Sequence, residues 1–210
     1  MTRWYTEKKR EHFYKEAKRV GYRARSAFKL KQMQKRFHIF SKNDLVIDLG
    51  AAPGGWSQVA KELIGEPGLI ISIDILPIRP LDGIVLIQGD LTEKETIEEI
   101  NQQMNNRQAD VVLSDMSPDI TGNYSVDQAR SIWLCNKALE AAEILLKPGG
   151  NFICKIFEGE DTKKFINTVK QHFCMVKKFS PTASRKSSSE IYLIAKSLKR
   201  QYVIIYQNKP

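Results

Sequence analysis

Cysteine and histidine are scarce, with three of each in 210 residues. Cys135, Cys154 and Cys174 are widely spaced and lie in apolar contexts, and His12, His38 and His172 are scattered. Neither set has metal-ligand spacing, so no metal site is expected and the thiols read as reduced core residues. Long hydrophobic runs are missing as well. None approaches the roughly 20 residues of a membrane span, and the stretch MTRWYTEKKREHFYKEAKRV lacks the apolar centre of a secretory signal. A cytoplasmic protein that does not engage membranes is the expectation. Internal repeats, low-complexity segments and an interdomain linker are absent, and 42% hydrophobic content suits one globular domain.

Acidic residues are nearly missing from the two ends. Residues 1–36 hold 13 Lys+Arg against 3 Asp+Glu, and residues 177–210 hold 8 against 1. The centre, 37–176, holds 12 against 20, so the net charge of +9 lies wholly in the ends. A solvated surface would mix both signs. Basic ends around an acidic centre suit a core whose periphery grips a polyanion.

What organises the chain is Asp48-Leu49-Gly50-Ala51-Ala52-Pro53-Gly54-Gly55-Trp56. The apolar run Leu45-Val46-Ile47 leads in and a helical pattern, 56–64, leads out, giving strand, glycine-rich turn and helix. Small residues let a ligand lie against the turn's backbone. Strand patterns then recur at 69–74, 84–88, 110–115 and 151–157, alternating with helical patterns at 93–104, 125–146 and 161–171. Near-continuous apolar strands separated by helices indicate a parallel sheet covered on both faces. Lys147-Pro148-Gly149-Gly150 is expected to stop the long helix and turn the chain into the next strand. Strands at about 173–180 and 190–196 have no helix between them and so should form an antiparallel hairpin at the sheet edge. Their loop, Ser184–Ser189, is basic, and Tyr202–Tyr206 is a candidate short strand. Before the sheet lie a basic helix (7–20), a turn Gly21-Tyr22-Arg23-Ala24-Arg25 whose arginines and tyrosine suit phosphate contact and base stacking, and an amphipathic helix (26–37). The division expected is a basic helical extension (1–40), a catalytic core (41–197) and a tail (198–210).

Asp48, Asp74 and Asp115 each end a strand and Asp90 follows another, so all four should line the ligand edge of the sheet. Asp74 stands where dinucleotide folds bind ribose hydroxyls. Asp90 could reach an exocyclic amine, and Trp56 could pack near the ligand or in the core. Asp48 could instead be structural, holding the glycine turn through backbone amides. Lys155 interrupts an apolar strand, and lysine is almost never buried without a purpose or a partner. Burial beside another cation favours a neutral amine, able to act as a general base. Glu190 opens an antiparallel strand and should reach the same edge. Lys29 reaches it only if its helix docks there; taken alone it reads as a solvated helix charge.

Together these residues resemble the FtsJ (RrmJ) family of RNA ribose 2′-O-methyltransferases. The likeness runs from about Tyr14 to Lys196. It rests on Gly21–Leu30, the Asp48–Trp56 turn, Asp74, Gln88-Gly89-Asp90, Leu113–Pro118, Lys155 and Glu190. It implies a Rossmann-like α/β fold with a seven-stranded, mostly parallel sheet and an antiparallel C-terminal hairpin. It implies S-adenosyl-L-methionine as methyl donor, held by Gly54, Trp56, Asp74, Asp90 and Asp115 and leaving as S-adenosyl-L-homocysteine, without a metal. It implies a catalytic tetrad of Lys29, Asp115, Lys155 and Glu190, with Lys155 as proton acceptor. The implied substrate is a uridine ribose of large-subunit (23S) ribosomal RNA, met within the large ribosomal subunit by a monomeric enzyme. Relatives acting on tRNA anticodon loops share much of the N-terminal block and are the alternative. An NAD-dependent oxidoreductase fits less well because the glycine turn departs from G-x-G-x-x-G. A non-catalytic RNA-binding module leaves the tetrad without a use.

Overall fold

A computed structural model describes residues 3–183 and 189–200. The basic loop residues 184–188 and the candidate strand Tyr202–Tyr206 lie outside the described residues. In chain order the elements are α1 (Arg3–Val20), α2 (Ala27–Phe37), β1 (Leu45–Leu49), α3 (Gly55–Ile64), β2 (Leu69–Asp74), β3 (Val85–Gln88), α4 (Lys94–Gln103), β4 (Ala109–Ser114), α5 (Tyr124–Leu145), β5 (Leu146–Phe157), α6 (Thr162–His172), β6 (Phe173–Phe179) and β7 (Glu190–Leu198).

The strands form one seven-stranded sheet in the order β3-β2-β1-β4-β5-β7-β6. Neighbours from β3 to β5 are parallel, and β7 runs antiparallel to both β5 and β6. The expected C-terminal hairpin is therefore present, with β7 inserted beside β5 and β6 left at the edge. The order reverses at β1 and β4, which is where open α/β sheets bind ligands.

Strand alternation divides the core in two. Leu45, Ile47 and Leu49 of β1, with Phe152, Cys154 and Ile156 of β5, pack against α4, α5 and α6. Val46, Val111, Leu113, Ile153, Tyr192 and Ile194 face the other way, against α1, α2 and α3. Helix α2 sits on that second face because Ala27, Leu30 and Met33 recur at helical spacing, and all three are fully buried. Burying Leu30 and Met33 contributes roughly 1.5–3 kcal/mol each, which fixes the helix carrying Lys29 on the sheet. It ends at Phe37, where His38 turns left-handed (φ 49°) and the Gln34 side chain accepts the Ile39 and Phe40 amides at 2.7 and 3.0 Å.

One expectation is corrected. Pro148-Gly149-Gly150 does not turn the chain before the strand; β5 already begins at Leu146. Ala109 pairs with Leu146 and Val111 with Asn151, so the extra residues are taken up in a register shift. Gly149 supplies the positive φ (85°) that this irregularity needs.

Candidate active site

The two-residue period of the strands decides which side chains meet. Leu113 and Ile153 face α2, so Asp115 and Lys155, two residues further along, project to the same face at the carboxyl ends of β4 and β5. Lys155 is the cross-strand partner of Tyr192, and Phe157 that of Glu190. Helix α2 lies over this face and lowers Lys29 into it.

The result is a continuous chain of five side chains. Lys29 Nζ donates to Glu190 Oε2 at 3.0 Å and to the Tyr192 hydroxyl at 3.1 Å. Tyr192 in turn donates to Asp115 Oδ1 at 2.9 Å, and Lys155 Nζ lies 3.2 Å from that same oxygen. Lys155 also donates to the Asp115 main-chain oxygen. Both lysines are 8% exposed, so each buried amino group has a carboxylate and a second acceptor. Burial pushes the Glu190 carboxyl up, but Lys29, with help from Lys155 and Arg25, outweighs it and holds the group below its ordinary value. The Tyr192 phenol is pushed well up by burial and by the Asp115 and Glu190 charges. It therefore stays protonated, a fixed donor to Asp115. All four residues expected to cluster do so. Tyr192 was missed, because a strand tyrosine reads as ordinary core; its place two residues after Glu190, on the same strand face, is the signal that could have found it.

Beside this cluster opens a cavity of about 410 Å³ lined by Gly50, Ala52, Asp74, Asp90, Asp115 and Met116, among others. The three aspartates expected to hold the donor thus share one cavity, while Asp48, expected on the same edge, does not line it. Asp74 Oδ2 accepts the Ala52 amide at 2.8 Å and Oδ1 the Leu76 amide at 2.9 Å. It is therefore Asp74 that holds the glycine turn by a backbone amide. Asp90 accepts the Thr92 amide and hydroxyl, both at 2.8 Å, which hold its carboxyl below the ordinary value. Trp133 of α5, unpredicted, supplies a half-exposed aromatic wall.

Two other predicted residues, Trp56 and Gly54, belong to the turn but do not line the cavity. The Trp56 ring is buried, donates to the Ser26 carbonyl at 2.9 Å and packs against Tyr192 with centroids 5.6 Å apart. Gly54 (φ 108°) is buried, and an added Cβ would meet Leu81 Cδ1 at 2.7 Å. Tyr22 is buried too, with its hydroxyl donating to Glu62, so it offers no face for base stacking. Among the described residues no group of three or more His, Cys, Asp or Glu side chains could hold a metal ion, and no helix is long and apolar enough to cross a membrane.

The FtsJ-like methyltransferase family model matches residues 22–198. The chain belongs to that family. Among curated FtsJ-like relatives, the ribosomal RNA large subunit methyltransferase E of Methanothrix thermoacetophila is 50% identical over 189 residues, covering 90% of this chain and 73% of the relative. The enzyme of that name from Archaeoglobus fulgidus is 45% identical, covering 91% and 98%. That of Marinobacter nauticus is 43% identical, covering 94% and 95%. A solved structure described as a ribosomal RNA methyltransferase, from Plasmodium falciparum, superposes with a TM-score of 0.78 at 26% identity, over 86% of this chain and all of that one. The resemblance read from the motifs is therefore borne out, and so is the sheet architecture of an FtsJ-like fold.

Asp48 departs from expectation. It is fully buried, and its Oδ2 accepts the Ser57 hydroxyl at 2.6 Å, which itself accepts from Ser72 at 2.9 Å. Its Oδ1 has no hydrogen-bond partner. Burial, reinforced by the Asp115 and Asp74 charges, pushes its pKa from 3.8 up to about 7, against the Ser57 bond. Between those values the folded protein keeps a proton that the unfolded chain has lost. Asp48 therefore contributes stability that is full below pH 3.8 and lost as pH rises through about 7. The whole effect is roughly 4 kcal/mol. Asp48→Asn removes the titration, so its melting temperature should climb relative to the native protein between pH 5 and pH 8. A difference that stays constant across that range would show that Asp48 does not titrate there.

Proposed function

We propose that the chain transfers a methyl group from S-adenosyl-L-methionine to the ribose 2′-hydroxyl of a uridine in large-subunit ribosomal RNA. The observation that carries this reading is the line Glu190–Lys29–Tyr192–Asp115–Lys155, which runs from the α2 face to the wall of the carboxylate-lined cavity. Its Lys-Asp-Lys-Glu members stand at the positions that carry the family resemblance.

The cavity suits the donor on chemical grounds. Ribose hydroxyls, an exocyclic amine and an ammonium are all hydrogen-bond donors, and Asp74, Asp90 and Asp115 are acceptors. Apolar walls from Met116 and Trp133 suit a flat base. Gly54 and Trp56 set the path of the turn that forms its floor. When bound, the donor supplies an electrophilic methyl group on a sulfonium.

A ribose hydroxyl is a weak nucleophile until its proton leaves. Lys155 Nζ, fixed by the side-chain and main-chain oxygens of Asp115, takes that proton onto the lone pair of its neutral amine, and the ammonium so formed pairs with Asp115. Lys29, fixed by Glu190 and Tyr192, places the hydroxyl or its neighbouring phosphate. Attack at the methyl lessens charge separation, so the buried and preoriented setting of both lysines favours it. The basic N-terminal extension supplies charge for the RNA backbone.

The assay is incubation of the pure protein and labelled donor with undermodified large ribosomal subunits and, in parallel, with tRNA. Label is expected in large-subunit RNA, at a uridine whose 2′ position then resists alkaline cleavage. Label confined to tRNA would shift the substrate to the anticodon loop. Donor binding without transfer to either RNA would remove the proposal.

A further inference from the structure

Arg23 lies in the basic turn whose composition points to RNA phosphate, yet both terminal nitrogens of its guanidinium already donate to main-chain carbonyls. One nitrogen donates to the carbonyls of Pro53, at 3.3 Å, and Arg79; the other donates to that of Pro80, at 2.6 Å. Pro53 belongs to the glycine turn. Arg79 and Pro80 belong to the segment after β2, whose first residues, Ile75 and Leu76, line the cavity. A single planar fork thus ties together the two loops that bound the candidate donor site. A lysine offers a single nitrogen and would lack the second nitrogen's bond to Pro80.

The ends of this clamp are fixed independently. The Arg23 amide donates to Gln58 Oε1 at 2.9 Å, and Gln58 Nε2 donates to the Gly21 carbonyl at 3.0 Å. Trp56 anchors the end of the same turn at Ser26. Backbones approach closely here, since a Cβ on Gly55 would meet Ala24 Cβ at 3.0 Å. Asp74 grips the glycine turn at Ala52 from the cavity side, and Arg23 grips it at Pro53 from outside.

We propose that Arg23 is a positioning residue for the methyl donor, setting donor affinity by locking the glycine turn to the 75–82 segment, and that it is not an RNA-phosphate contact. This rests on the reading of the cavity as the donor site. The N-terminal extension then has two roles, because the turn that joins its two helices also holds the donor loop.

The test is titration of the native protein, Arg23→Ala and Arg23→Lys with S-adenosyl-L-homocysteine by calorimetry, and with target RNA over a range of salt. Melting temperatures confirm that each variant is folded. Arg23→Ala is expected to weaken donor binding about tenfold or more, charge-assisted hydrogen bonds being the strong ones. RNA affinity should stay within about threefold, with an unchanged salt dependence. Arg23→Lys should recover only part of the loss, because it restores charge without the fork. In turnover the loss should fall on KM for the donor more than on kcat. Unchanged donor affinity in Arg23→Ala overturns the proposal. So does weaker RNA binding with a salt slope reduced by about one, the mark of a lost phosphate contact. Failure of the native protein to bind the homocysteine product would instead remove the donor-site reading itself.

Discussion

Lys155→Ala is expected to lower the rate of methyl transfer by about 10²–10⁴-fold, the range for loss of a positioned proton acceptor. Donor and RNA affinities should hardly change. The asymmetry follows from where the side chain stands. Lys155 is absent from the cavity lining, while Asp115, which fixes it, is part of that lining. Removing the amine leaves Asp115 with its Tyr192 hydrogen bond, so the carboxylate is not stranded. The cavity keeps its shape, and the basic extension, distant in sequence, keeps its charge. Single-turnover kinetics at saturating donor and RNA isolate the transfer step. Native rates in that assay would remove Lys155 from the chemistry. A loss confined to KM would reassign it to binding.

The ligand edge was legible from sequence because strands obey a simple rule. Apolar runs ending in Asp48, Asp74 and Asp115 place those carboxylates at strand ends, and a lysine inside Phe152–Phe157 contradicts its surroundings unless it has a partner. Lys29 was legible only in part. Its helix carries a clear apolar stripe, but nothing local says that the stripe docks over β5 and β7 and carries a charge in with it. The destinations of Arg23 and Tyr22 were not legible, since a basic aromatic turn reads the same whether it faces RNA or packs on a loop. That choice is tertiary, made where Gln58 and the Pro53 carbonyl meet the turn. Asp48 shows the same limit from another side. Its position was predictable, but its burial with one unpartnered oxygen depends on α3 closing over it, and so does its raised pKa. Pro148-Gly149-Gly150 carried a strong turn signal, and the structure uses it for an irregular strand start because Leu146 still finds Ala109 as partner.

Asp115→Ala should be the more damaging change, because one oxygen serves two neighbours. Asp115 Oδ1 accepts from Tyr192 and pairs with Lys155. Without it Lys155 keeps only the main-chain carbonyl, and the ammonium it forms on taking a proton would share the buried cluster with Lys29 and a single carboxylate, Glu190. Losing a hydrogen bond to a charged group costs about 1.5–3 kcal/mol, so a measurable drop in melting temperature is expected alongside a loss of activity at least as large as that of Lys155→Ala. The cavity also loses one of its four aspartates, so KM for the donor should rise, which Lys155→Ala should not cause. Tyr192→Phe is the control. It removes one hydroxyl and leaves every charge paired, so its effect should stay under about tenfold. Non-additivity makes the decisive measurement. If Asp115 acts by fixing the Lys155 amine, the double variant Asp115→Ala/Lys155→Ala should turn over no more slowly than the slower single variant. It should also recover part of the lost stability, since the stranded amino group is gone. Multiplicative losses in the double variant would mean that the two residues act independently, and Asp115 would then not work through the Lys155 amine.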